Sequence, residues 1–194
     1  MKMRRQEFRR ETNETTVSVE LNLDGTGEGE IETPLAFFNH MLGSLATHSL
    51  IDLRVEAQGD LGHHIVEDAA IGLGSAIKGA LGDGKGIARF GYARVPMDCS
   101  MASCALDIGG RPYAVVDLGT EGATVEDTAA EDLTHFFETL ASSMGTNIHV
   151  KVEYGRNDHH KAEAAFKVLA LSLRQAVSPD PRRKGVPSSK GVIG

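Results

Sequence analysis

The sequence predicts an α/β (α+β) protein made by internal duplication of a strand-strand-helix-strand-helix unit, with two sheets each covered by helices. Three observations carry the prediction. The motif His63-His64-Ile65-Val66-Glu67 returns as His159-His160-Lys161-Ala162-Glu163, each time opening a stretch of helical apolar spacing. A glycine stands four residues ahead of each pair, Gly59 before His63 and Gly155 before His159. A lone histidine precedes each pair at nearly the same distance, His40 in one half and His135 in the other. The unit is roughly 90 residues long, and two copies are too few for a solenoid. The repeats are assigned to residues 1–84 and 85–194.

In the first half, alternation over residues 16–23 followed by Asp24-Gly25 and a short run at 29–32 reads as a hairpin. Thr33-Pro34 offers an N-cap and a first helical proline, so a helix carrying His40 is expected over 35–47. A strand over 53–57 leads to a helix over 63–81 that stops at Gly82. The second half supplies strands over 87–95, 100–107 and 113–118. A helix over about 131–144 carries His135 and ends at Gly145. A strand over 148–154 precedes a helix over 159–177, with Asp158 as N-cap and Pro179 as stop.

With 194 residues, 41% of them hydrophobic, the chain can bury a real core. A formal charge of −7 disfavours large polyanions, so nucleic acid is not the expected partner. No apolar run approaches the roughly 20 residues of a membrane span, and residues 1–10 lack a signal-peptide core. A cytoplasmic protein without membrane contact is expected. Cys99 and Cys104 lack a second pair for a zinc site and read as buried free thiols.

The histidines point to metal chemistry. On a helix the glutamate lies four residues after the first imidazole and three after the second, so it shares a face with either. Adjacent histidines point about 100° apart, so one pair does not chelate one ion but can serve two. The candidates are His40, His63, His64 and Glu67, with His135, His159, His160 and Glu163. They form two sets of three nitrogens and one oxygen, which suits Mn²⁺, Fe²⁺, Co²⁺ or Zn²⁺ better than Ca²⁺ or Mg²⁺. The plainer alternative, polar helix starts and core histidines, requires the duplication to be accidental. His48 and His149 have no matching role and are assigned to structure. Arg89 and Arg111 stand in apolar sheet sequence, where a cation needs an anionic partner; a carboxylate such as Asp107 and a ligand phosphate both fit. The basic tail through Ser188 and Lys190 carries phosphate donors but also resembles an ordinary solvated terminus.

Taken together, the duplicated His-His-x-x-Glu motif, Phe38-Asn39-His40-Met41-Leu42, Arg10-Glu11-Thr12-Asn13-Glu14-Thr15, Gly110-Arg111-Pro112 and Pro187-Ser188-Ser189-Lys190-Gly191 resemble the imidazoleglycerol-phosphate dehydratases of histidine biosynthesis. The family often has threonine where this chain has Ser189, and the hydroxyl is kept. The resemblance implies a monofunctional hydro-lyase converting imidazole glycerol phosphate to imidazole acetol phosphate, with two Mn²⁺ per active site. It implies a homo-oligomer of twenty-four subunits built from trimers, with sites between subunits. Carried over by motif, the ligand sets would be His40, His64 and Glu67, and His135, His160 and Glu163. His63 and His159 join one ion each in an order left open. Glu14 matches the catalytic glutamate, and Arg89, Arg111, Ser188 and Lys190 match the phosphate contacts.

Overall fold

A computed structural model describes residues 4–193, so the outermost ends of the two assigned repeats, residues 1–3 and 194, lie outside the described residues. The first half contains β1 (Arg5–Glu11), β2 (Thr15–Asn22), β3 (Gly29–Glu32), α1 (Ala36–Ser49), β4 (Asp52–Gly59) and α2 (Gly62–Leu81). The second contains β5 (Phe90–Met97), β6 (Ser100–Asp107), β7 (Tyr113–Asp117), the short β8 (Thr124–Val125) and β9 (Thr128–Ala129), α3 (Ala130–Met144), β10 (Asn147–Tyr154) and α4 (Asp158–Val177). The two four-stranded sheets have matching orders, β1-β2-β4-β3 and β5-β6-β10-β7, each with one parallel pair at the same edge. The mixed α+β class and the two helix-covered sheets are as expected from the sequence.

The predicted hairpin between β2 and β3 does not form. β2 pairs antiparallel with β1, and β3 instead runs parallel to β4 at the far edge. The intervening loop turns away because the amides of Thr26, Gly27 and Glu28 all donate to one oxygen of Asp52, with Gly27 at φ +91°. Strand β1 gave no sequence signal. Its side chains are exposed except for half-buried Phe8, so no period-two apolar pattern exists to read. Thr33 does not cap α1 either; its hydroxyl donates to Asn39 and accepts from the Leu35 amide. The free amides of Ala36 and Phe37 donate to the carboxylate of Asp127, from the other half, at 2.6 and 3.0 Å. On α4 the cap is Asn157, which accepts from the His160 amide, while Asp158 accepts from the amides of Glu121 and Gly122. Residues 87–89 lie outside β5, although Ile87 bridges to Pro179. Cys104 is buried in β6 as expected, but Cys99 is half-exposed in the β5–β6 turn, outside any strand.

Helices α1 and α2 cover the first sheet, and α3 and α4 the second. The halves then meet helix to helix, α1 on α4 and α2 on α3. At this junction Phe38, Phe136, Phe137 and Phe166 are fully buried, with ring centroids 5.0–5.6 Å apart. Each edge-to-face or offset pair contributes about 0.5–1.5 kcal/mol beyond its area burial. The core is continuous across the halves. Among the described residues no helix is long and apolar enough to cross a membrane.

The cap from Asp127 ties the start of α1 to the second half. Asp127→Ala is expected to destabilise the protein by about 0.5–2 kcal/mol, and equilibrium urea unfolding against the parent protein measures it.

Candidate metal centre and active site

The histidine-bearing helices come together as two clusters, each built from both halves. In one, His40 on α1 meets His159 and Glu163 on α4; in the other, His135 on α3 meets His63 and Glu67 on α2. Within each cluster one ligand atom from every residue lies within 4.8 Å of the others. The Glu163 carboxylate is 3.5 Å from His159 Nε2 and 3.7 Å from His40 Nε2. The Glu67 carboxylate is 3.2 Å from His135 Nε2, and the rings of His63 and His135 stack at 5.0 Å. Two nitrogens and one carboxylate oxygen match the donor preference of a borderline divalent metal. The residues therefore fit a metal ion at each cluster.

This grouping within one chain differs from the motif-based one. Among the described residues neither His40, His64 and Glu67 nor His135, His160 and Glu163 gather. His40 sits with the glutamate of the second motif, and His135 with that of the first. The reason is the helix pairing: α1 packs on α4 and α3 on α2, so each lone histidine faces the opposite half's motif. His64 and His160 point elsewhere, as adjacent positions on a helix require. His64 Nδ1 is 2.7 Å from Asp60 and 4.0 Å from Glu14; His160 Nδ1 is 3.5 Å from Cys99 Sγ, and its Nε2 is 3.3 Å from Asp98.

Behind the clustered side chains lies an outer layer that sequence reasoning missed. Buried Asp132 accepts from His63 Nδ1 at 2.6 Å, and Glu126 from His159 Nδ1 at 3.0 Å. Such partners fix the ring and its tautomer and leave Nε2 free to bind a metal. Asp60 stands four residues before His64, a spacing available in the sequence, whereas Asp132 meets His63 across 69 residues and gave no local signal. Glu126 lies in the β8–β9 turn at φ +54° and gave no signal. The hydrogen bond to Asp60 raises the His64 pKa, and contact with Cys99 raises that of His160. Amide donation from Arg156, followed by His160, lowers the Cys99 thiol to about 6, whereas burial pushes Cys104 up to about 11. Burial opposes ionisation of Glu163, yet Lys167 at 2.7 Å and the two imidazoles outweigh it and hold its pKa below the usual value.

The phosphate candidates fall into two groups. Arg89, at φ +74°, forks onto Asp107 at 2.6 and 3.0 Å and donates to the Pro187 carbonyl at 2.7 Å, so its anionic partner is a structural carboxylate. It thereby pins the tail beside Ser188, whose Oγ accepts from the Lys190 amide. Arg111 is exposed after Gly110, and its carbonyl accepts from Asn147. Among the described residues none of these four hydrogen-bonds or ion-pairs with a clustered histidine.

Residues 33–173 match the family model described as imidazoleglycerol-phosphate dehydratase. The chain belongs to the imidazoleglycerol-phosphate dehydratase family. It is 50% identical over 194 residues to the imidazoleglycerol-phosphate dehydratase of Dehalococcoides mccartyi strain CBDB1, covering 100% of this chain and 99% of the relative. It is also 50% identical to that of Methanothermobacter thermautotrophicus, covering 98% of each. Among solved structures, the crystal structure of IGPD from Pyrococcus furiosus in complex with (S)-C348 superposes with a TM-score of 0.84 and 38% identity, covering 96% of this chain and 100% of that one. The Staphylococcus aureus imidazoleglycerol-phosphate dehydratase structure gives 0.83 and 30%, covering 90% and 99%. Membership of a dehydratase family agrees with the sequence resemblance.

Asp132 is the outer partner whose loss leaves the ligands themselves intact. Asp132→Asn is expected to weaken metal binding about 10–100-fold with little change in fold, as read by titrating metal-stripped protein with Mn²⁺.

Proposed function

We propose that the chain catalyses removal of water from imidazole glycerol phosphate to give imidazole acetol phosphate, with two Mn²⁺ ions per active site. The observation that carries this reading is the presence of two distinct His-His-Glu clusters, matching a substrate ring whose two nitrogens would each take an ion. His40, His159 and Glu163 would hold one ion, and His63, Glu67 and His135 the other. When bound, the ions supply Lewis-acid stabilisation of the substrate imidazole in its deprotonated form. The Glu14 carboxylate takes the proton from the neighbouring carbon as that C–H bond breaks. The C–O bond to the adjacent hydroxyl breaks with its electron pair, the departing hydroxide becomes water with the proton that Glu14 has taken, the C–H pair becomes the C=C bond of an enol, and the enol tautomerises to the ketone.

Arg111, Ser188 and Lys190 bind and orient the phosphate, with Arg89 holding the tail that presents Ser188. His64 and His160 are off the clusters and partly exposed, which supports a role at sites of neighbouring subunits. On this reading the enzyme is a cytoplasmic homo-oligomer of twenty-four subunits assembled from trimers. The matching topologies of the halves support reading 1–84 and 85–194 as the two repeats.

Protein stripped of metal and reloaded with Mn²⁺ is expected to form the enolisable ketone from imidazole glycerol phosphate, and the stripped protein to form none. Absence of ketone from folded, loaded protein would overturn the reading. Glu14→Gln is expected to lower turnover about 10²–10⁴-fold with metal content intact; unchanged turnover would remove Glu14 as the base.

A further inference from the structure

Glu67 and Asp68 are consecutive on α2 but face different tasks. Glu67 points into a cluster, while Asp68, about 100° round the helix, points toward the first sheet and is only 6% exposed. One Asp68 oxygen accepts from the buried hydroxyl of Thr15, and the other is 3.2 Å from Arg10 Nε. Thr15 and Arg10 flank the β1–β2 turn that carries Glu14. Within that turn the Thr12 hydroxyl accepts from the amides of Glu14 and Thr15 at 3.1 and 3.0 Å, and the Thr12 amide donates to the Thr15 carbonyl at 2.8 Å. The Glu14 carbonyl accepts from the Asp60 amide at 3.1 Å. The backbone of Glu14 is thus held on both sides while its side chain remains 61% exposed beside His64.

The duplication supplies an internal comparison. Thr15 opens β2 as Ser100 opens β6, and Arg10 lies opposite Val17 as Val95 lies opposite Ala102. The residue after the motif glutamate is Asp68 in one half and Ala164 in the other. The turn residue equivalent to Glu14 is Cys99. Alanine and valine satisfy the same packing in the second half, whereas a buried carboxylate is costly unless it is fully partnered. The polar anchor exists only where the turn carries Glu14.

We propose that Asp68, acting through Thr15 and Arg10, is a positioning residue that fixes Glu14 beside His64. The proposal rests on the reading of Glu14 as the base. Because His64 and Asp68 lie four residues apart on one face of α2, the spacing between His64 and the base is set by a single helical turn rather than by a free loop.

The test compares Thr15→Val, which deletes the hydroxyl and keeps the shape, Thr15→Ser, which keeps the hydroxyl, and Asp68→Ala, which copies the second half. Each is assayed for kcat, KM, bound Mn²⁺ and the deuterium isotope effect on kcat with substrate labelled at the carbon that loses its proton. Thr15→Val and Asp68→Ala are expected to lower kcat about 10²-fold, as a misplacement near 1 Å does. KM and metal content should stay at parent values while the isotope effect rises, and Thr15→Ser should restore kcat. Parent-like kcat and isotope effect in both variants would overturn the proposal, as would a fall in activity that tracks loss of metal or a change in KM alone. Glu14→Gln, run alongside, separates the two ideas. If it loses turnover while Thr15→Val and Asp68→Ala keep it, positioning fails and the base stands. If it keeps turnover, both fall.

Discussion

The packing of α1 on α4 and of α2 on α3 is the constraint on which the rest of the molecule depends. Each half alone has a sheet, two helices and a histidine motif, but neither half has a complete cluster. The clusters exist because the helices of one half lie against those of the other, with Phe38, Phe136, Phe137 and Phe166 locked between them. Phe38 precedes His40 by two residues, and Phe136 follows His135 directly. The apolar junction and the polar clusters are neighbouring faces of the same helical turns. A change in crossing geometry would move ligands and core together, since a close-packed interior transmits strain.

Around the clusters, charge is arranged to keep imidazoles ready to bind. Carboxylates occupy Nδ1 of His63, His64 and His159, and the opposite nitrogen of His159 lies 3.5 Å from Glu163 within its cluster. His160 is the exception, with a thiol in that place. Glu163 is buried yet stays ionised because Lys167 compensates for lost solvent. One asymmetry between the halves lies here: Glu14 and Asp68 in one copy stand where Cys99 and Ala164 stand in the other.

Much of this was legible in the sequence because it is periodic. The helical spacing that opens at His63 and His159, the glycines that precede them and the alternation of β2 and β6 are local signals, and helices and strands form there. What escaped is non-local or unpatterned. β1 is exposed on nearly every side chain, so no alternation marks it. β3 pairs across the sheet because Asp52, more than twenty residues away in the chain, gathers three loop amides. The cap of α1 comes from Asp127 in the other half. The grouping of the histidines within the chain escaped for the same reason: the sequence identifies residue types that suit a metal, but which glutamate faces His40 depends on which helices pack together.

On the proposed reading each ion is held by both halves of the chain, with His40 sharing an ion with Glu163 and His135 with Glu67. Anomalous diffraction from crystals of the Mn²⁺-loaded protein, collected at the manganese edge, tests it directly. Two peaks are expected, one among His40, His159 and Glu163 and one among His63, Glu67 and His135. A single peak, or peaks joining His40 to Glu67 and His135 to Glu163, would contradict the account.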